Sequence, residues 1–224
     1  MADLRAAIVI DYQNVHLTGH GCFDATRNGP KHEALVDPLH FAHQLLQARN
    51  ARQREGMPQA VLRYVDVFRG EPSPDHAPQA HARNQAQKAQ WERDKKVGVT
   101  LRPLKYRYER DADGRPLCDP VTGIKIPSGP PQEKGVDVLC ALALVRRARS
   151  ADVDLVILAS QDSDLVPAID EVLMLGTAKV ETFSWYRAKR PSSELRPSDP
   201  ARRIWNTRLN ETNFLNSLDR TDYA

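Results

Sequence analysis

The chain has few cysteines and no long apolar run, and each shortage excludes a class of protein. Its three cysteines, Cys22, Cys118 and Cys140, are odd in number and widely spaced, so no disulfide framework is expected. No apolar run approaches the roughly 20 residues that cross a membrane. An apolar run begins almost at the first residue, so no signal peptide is expected. We therefore expect a cytoplasmic protein with no membrane association.

The excess of charge of one sign is also small, because the formal net charge is only +3. The basic residues are nevertheless uneven, with clusters at residues 146–149, 187–190 and 202–203. Such clusters are compatible with a phosphate backbone as partner. A solvated face of a helix or loop explains each cluster alone equally well.

Two apolar runs, residues 6–10 and 155–159, each lead into acidic residues. A run that is apolar on both faces predicts a strand buried between helical layers, as in a parallel sheet. Ligands of open parallel sheets bind at the carboxyl ends of the strands. If the two strands are neighbours, Asp11, Asp162 and Asp164 lie close together at that edge.

Three neighbouring carboxylates repel one another, and a cation would relieve the repulsion. Two unit charges about 4 Å apart cost about 4 kcal/mol at an effective dielectric constant of about 20. Carboxylate oxygens are hard ligands and favour Mg²⁺ or Mn²⁺ over zinc. The alternative for Asp162 and Asp164 is helix capping. One cap explains one acid and leaves the other two unexplained.

The rest of the chain alternates between strand and helix patterns and predicts one α/β domain with helices on both faces of a central parallel sheet. Right-handed crossovers and a switch point between the first and fourth strands give the strand order 3-2-1-4-5. Pro103 favours an edge position for the third strand. A long polar loop is expected at residues 13–36 and an insertion at about 109–131. The expected helices are 37–55, 80–96, 133–149 and 163–176, and the later strands are 60–68, 99–108, 152–159 and 178–185.

Beyond Tyr186 the chain becomes basic and rich in proline, which predicts a C-terminal extension, residues 187–224, packed on the domain. A short helix is expected at residues 210–215. Trp205, Phe214 and Leu218 are expected to dock the extension. Alternatively, Trp205 stacks on a base, since Arg202 and Arg203 precede it.

Three segments together resemble a known family: residues 9–14 (VIDYQN), 133–137 (EKGVD) and 160–167 (SQDSDLVP). They resemble the NYN domain, a branch of the PIN-like superfamily of metal-dependent nucleases. The resemblance covers roughly residues 5–186 of an expected domain at 1–186, and it leaves out the insertion and the extension. It implies a three-layer PIN-like fold, bound Mg²⁺ or Mn²⁺, and single-stranded or structured RNA as substrate.

The resemblance also implies roles for individual residues. The aspartates that match the family's acids would hold the metal ion, and Asn14 would orient the attacking water or the scissile phosphate. The serines and the lysine would contact the substrate. The implied metal ligands are Asp11, Asp137, Asp162 and Asp164, and the implied substrate contacts are Asn14, Ser160, Ser163 and Lys134.

The sequence departs from the family at Ala143, where many relatives carry a further acid, and Glu133 is the candidate to replace it. The leading hypothesis is a metal-dependent endoribonuclease. The departure motivates an alternative, a catalytically weak or inactive RNA-binding or regulatory module. A phosphatase with Asp11 as covalent nucleophile is disfavoured, because such enzymes want a second acid where this chain has Gln13.

Overall fold

A six-stranded parallel sheet forms the centre of the protein in a computed structural model that describes residues 2–23, 34–188 and 194–223. Its order is β3-β2-β1-β4-β5-β6. The predicted order of the first five strands is therefore confirmed, and so is the edge position of β3. The strands are β1 Leu4–Asp11, β2 Ala60–Glu71, β3 Val97–Pro103, β4 Leu155–Ala159, β5 Lys179–Trp185 and β6 Trp205–Leu209.

Helices cover both faces of the sheet, which confirms the three-layer α/β architecture. Side chains of β1 alternate between two apolar clusters: Ile8 and Ile10 contribute to one face, and Ala7 and Val9 to the other. The first face carries α1 Tyr12–Phe23, α2 Pro38–Ala51 and α6 Glu211–Asn216. The second face carries α4 Val136–Ala148 and α5 Val166–Leu175, which follows a 3-10 turn at Ser163–Leu165. Helix α3 Pro78–Trp91 contributes Trp91 to the first cluster.

The prediction of a loop at residues 13–36 is wrong over its first part, where the chain forms α1. Histidines and glycines made this segment look like a polar loop, yet His16, Gly19 and His20 belong to its buried face. At Gly19, an added Cβ would lie 2.8 Å from the ring of Phe214. The glycine therefore permits close packing that an apolar-periodicity pattern does not show. Residues 24–33 of the expected loop lie outside the described residues.

Several predicted boundaries also shift. The strand β2 continues to Glu71 because its last residues pair with β3, which ends at Pro103 rather than at 108. Helices α2 and α3 end four or five residues earlier than predicted. The insertion forms an exposed arm of short antiparallel bridges, the innermost between Lys105 and Gln132. Among the described residues, no helix is long and apolar enough to cross a membrane.

The C-terminal extension contributes a sixth strand, which the sequence did not predict. Phe214 is buried against Trp185, as expected for a docking residue, and Asn210 caps α6. Leu218 packs partly buried against the first cluster. Trp205 lies in β6, whose pairing with β5 attaches the extension to the sheet, but its side chain remains 40% exposed.

Candidate functional site

The carboxyl ends of β1 and β4 meet, as the sequence predicted. The two strands are parallel neighbours, with Ile10 opposite Ala159, so Asp11 lies beside the start of the β4–α5 loop. The hydroxyl of Ser160 donates to Asp11 Oδ2 at 3.1 Å and accepts from the backbone N–H of Asp162 at 3.1 Å. One buried serine therefore links the two aspartates. Ser160 is fully buried, so it positions Asp11 and is not open to RNA as the sequence suggested.

Asn14 joins the same two strand ends from the first turn of α1. The side-chain Oδ1 of Asn14 accepts from the backbone N–H of Gln161 at 2.8 Å, and the backbone N–H of Asn14 donates to Asp11 Oδ1 at 3.3 Å. The side chain thus ties α1 to the β4–α5 loop. This positioning role accounts for Asn14, which the family resemblance connected with the water or the substrate.

The opposite wall of the site is the segment that leads into α4. Gly135 adopts a left-handed backbone conformation with φ of 75° immediately before the helix. Because α4 begins at Val136, Glu133 and Asp137 do not share a helical face as expected. The turn nevertheless brings both to a cleft of about 450 Å³. Its lining residues include Asp11, Glu133, Lys134, Asp137 and Asp162.

Glu133 is a candidate site residue that the sequence identified only as a substitute for the acid missing at position 143. The backbone N–H of Gly70, at the end of β2, donates to Glu133 Oε1. With its amide nitrogen turned toward the carboxylate, Gln13 donates to Oε2 at 2.9 Å and to Oε1 at 3.1 Å. These contacts fix Glu133 at the rim between β1 and β2, and they depend on residues far apart in the chain.

Burial and nearby negative charges raise the pKa values of two carboxyl groups of the cleft, Asp11 and Glu133. Burial is the main cause that raises the pKa of Asp11, and the charges of Asp162 and Asp137 raise it further. Hydrogen bonds from Asn14 and Ser160 oppose the rise. Burial likewise raises the pKa of Glu133, against the bond from Gly70. The ionised cleft therefore stores repulsion that a bound cation would relieve.

The raised pKa of Asp11 makes a prediction about stability and pH. When a carboxyl group has a higher pKa in the folded protein than in the unfolded chain, the free energy of unfolding falls as pH rises through the interval between the two pKa values. We expect Asp11→Asn to raise the Tm above that of the parent at pH 8 in EDTA, because the ionised group is removed. The gain should shrink toward about pH 4, near the ordinary carboxyl pKa. Thermal unfolding at both pH values measures it, and a lower Tm than the parent at pH 8 would contradict it.

The donor chemistry of the cleft fits a hard divalent cation, since Asp11, Asp137, Asp162 and Glu133 all offer carboxylate oxygens. Within the described ranges, however, no three His, Cys, Asp or Glu side chains are grouped closely enough to hold one ion as they stand. Direct binding of one ion by three of these side chains would therefore require them to move. Asp164 and Ser163 are exposed on the 3-10 turn and do not line the cleft, so the structure does not bring them together with Asp11.

Ala143 does not face the cleft. It is fully buried in the second apolar cluster, together with Cys140 and Leu144. A carboxylate at this position would lie in that cluster, so its absence removes no charge from the cleft lining. Cys140 is closer to the site, because burial first, and then the charges of Asp11 and Glu133, raise the pKa of its thiol. Burial therefore favours the neutral thiol of Cys140, which is the less nucleophilic form.

The left-handed turn at Gly135 makes a prediction about the cleft wall. In Gly135→Ala, the methyl group would lie 3.0 Å from Arg102 Nε, which donates to the carbonyl of Lys134 at 2.5 Å. A non-glycine residue in this conformation costs about 1–2 kcal/mol. We expect the free energy of unfolding to fall by at least this amount, measured by urea titration. As a control, Gly21→Ala in α1 should be stabilising, since its Cβ would meet no described atom within 4 Å. Equal effects of the two substitutions would contradict the prediction.

Comparisons with known proteins add little to this geometry. No protein-family model matches the chain, and no curated protein matches it. Among solved structures, the chain is similar to a crystal structure of a protein of unknown function from Vibrio parahaemolyticus. The two are 20% identical over 81% of each chain, with a TM-score of 0.43. A likeness at this level carries no argument about the site, whose chemistry is therefore inferred from its own residues.

Proposed function

We propose that the protein is a cytoplasmic, metal-dependent endoribonuclease of the NYN and PIN-like type, and that the carboxylate cleft is its active site. One observation carries the proposal. Asp11, Asp137, Asp162 and Glu133 line a single cleft at the carboxyl ends of neighbouring parallel strands, and the pKa of Asp11 is raised in part by the other aspartates. The location supports a ligand site, and the charges favour a cation in it.

Each part of the cleft has a role in this proposal. Asp11, Asp137 and Asp162 would hold Mg²⁺ or Mn²⁺, with Asp164 as an outer carboxylate. The ion would supply a more acidic water and neutralise charge on the phosphate. Ser160 and Asn14 orient Asp11 and the β4–α5 loop. Lys134 is exposed at the cleft, where its ammonium can meet a phosphate of RNA. Ser163, exposed on the 3-10 turn, is the further candidate for a phosphate contact.

A second candidate function is an RNA-binding or regulatory module with weak or no catalysis. The observation that favours it is the spacing of the acids, because the described side chains do not form a ready set of three ligands. The burial of Ala143 removes the other reason for this candidate, since an acid at that position would not line the cleft.

Cleavage of a labelled circular RNA distinguishes the two candidates. A circle has no ends, so its linearisation reports endonucleolytic cutting alone. One circle should be unstructured and a second should contain a hairpin, each incubated with EDTA, Mg²⁺ or Mn²⁺. We expect linearisation with either metal ion and none in EDTA. RNA that is bound but left uncut in every metal would support the binding module and overturn the proposed activity.

A further inference from the structure

A second recess lies along the edge strand β6 and is strongly basic. It has a volume of about 660 Å³. We call it the arginine groove, after the residues that line it together with Trp205: Arg52, Arg196, Arg202, Arg203 and Arg208. Among the described residues that line it, Glu194 is the single acid. The groove therefore concentrates positive charge in a chain whose net charge is only +3.

The acid of the groove is engaged by two of the arginines. Glu194 pairs with Arg208 at 2.5 Å and with Arg196 at 3.6 Å. Arg202 lies 3.9 Å from Asp199 in an exposed pair, which is a weak interaction in water. Arg52, Arg202 and Arg203 are exposed. These three guanidinium groups are the ones best placed to meet an anionic partner.

Trp205 adds a flat apolar surface to these charges. It is 40% exposed at the start of β6. Its Nε1 donates to Thr207 Oγ1 at 3.1 Å, and Thr207 is buried in the sheet, so the indole is held by its polar edge. Sites for single-stranded nucleic acid combine an aromatic ring, on which a base stacks, with basic side chains that contact the phosphates. Trp205 and the neighbouring arginines have this composition.

The groove and the carboxylate cleft lie at different places on the sheet. Trp205 pairs with Glu181 near the start of β5, whereas the carboxyl end of β6, Leu209, pairs with Trp185. Trp205 is therefore at the amino end of its strand, and Asp11 is at the carboxyl end of β1. Arg52 lies in the connection that enters β2 at its amino end. Three strand spacings also separate β6 from β1 in the sheet.

We propose that the arginine groove binds single-stranded nucleic acid independently of the carboxylate cleft, with arginines on the phosphates and Trp205 stacked on a base. An acidic peptide would satisfy the arginines but would leave the indole without a planar partner. The inference does not depend on the proposed activity, because binding at the groove needs neither a metal ion nor cleavage.

Fluorescence anisotropy with a labelled 12-nucleotide oligouridine in EDTA tests the proposal without cleavage. Trp205→Ala should weaken binding about fivefold to 150-fold, the loss expected for one stacked base. Trp205→Phe should bind nearly as the parent does, because a phenyl ring still stacks. Three phosphate contacts predict a log–log salt slope of about −2, and Arg202→Ala with Arg203→Ala should reduce its magnitude by about 1.4.

Lys95→Ala with Lys96→Ala is the matched control, since it removes two exposed cations beside β3, at the opposite edge of the sheet. It should leave affinity within about twofold of the parent. Equal losses in the lysine and arginine pairs, or no loss in Trp205→Ala, would overturn the proposal. So would displacement of the oligouridine by polyglutamate at equal charge, which would indicate an acidic protein partner. Loss of binding in the groove variants would support the groove even if no metal ion gave cleavage.

Discussion

Asp162→Asn is expected to lower the proposed metal-dependent cleavage of RNA at least about a hundredfold. Loss of a group that only supports a metal ligand costs up to about a hundredfold, and loss of a ligand should cost at least as much. Asp162 lines the cleft and its charge raises the pKa of Asp11. Its Oδ1 also accepts from the backbone N–H of Asp164 at 3.0 Å and so caps the 3-10 turn. Asparagine keeps an oxygen for this cap, so the fold should survive while the charge is lost.

Two further variants sharpen the Asp162→Asn experiment. Glu171→Gln removes a negative charge from the exposed surface of α5 and should cleave as the parent does. Asp164→Asn should lose less activity than Asp162→Asn, because Asp164 does not line the cleft. Initial rates of cleavage in saturating Mn²⁺ give the comparison. Cleavage by Asp162→Asn at the parent rate would exclude this carboxylate from the reaction.

Glu181→Ala is expected to cost about 3–5 kcal/mol of unfolding free energy, the usual result of leaving one member of a buried ion pair alone. Glu181 on β5 and Arg49 on α2 form two parallel bonds, at 2.9 and 3.2 Å. Their side chains are only 7% and 4% exposed. Without Glu181, the guanidinium keeps, among the described residues, only longer contacts with Asn50 and Pro58, each at 3.3 Å. The Tm should fall by roughly 10 °C.

A double variant and a surface pair make this stability prediction specific. Arg49→Met with Glu181→Leu removes both charges and should recover most of the loss, because apolar residues of similar volume replace a buried pair well. Arg5 and Asp154 form a similar two-bond pair at 2.8 and 2.9 Å, but half exposed. Arg5→Ala should therefore cost only about 0.2–1 kcal/mol. A loss in Glu181→Ala no larger than in Arg5→Ala would contradict the prediction.

The apolar runs made most of the fold predictable from the sequence. Residues 6–10 and 155–159 are buried on both faces, and their pairing brings Ile10 opposite Ala159. That register alone places Asp11 beside Ser160 and close to Asp162. The strand order follows from a switch point between the first and fourth strands together with right-handed connections, which hold for almost any parallel sheet. These features depend on local patterns and general rules, so one sequence was enough to predict them.

The features that the sequence did not predict depend on contacts between distant residues. Histidines on the buried face of α1 look polar in the sequence, which does not show that Phe214 packs against His20. Strand β6 follows a basic segment rich in proline, and only its pairing with β5 makes it a strand. Glu133 was a candidate only as a replacement for the acid missing at position 143, and no spacing pattern reveals the bonds from Gly70 and Gln13 that hold it at the site.

The most direct test of the central claim is a titration of the parent protein with Mn²⁺, followed by the electron paramagnetic resonance signal of the free ion. If the cleft holds the ion, the protein should take up one or two equivalents, and Asp11→Asn with Asp162→Asn should abolish this uptake. Glu171→Gln should retain it. No uptake by the parent, or equal uptake by the parent and the double variant, would contradict a metal ion in the carboxylate cleft.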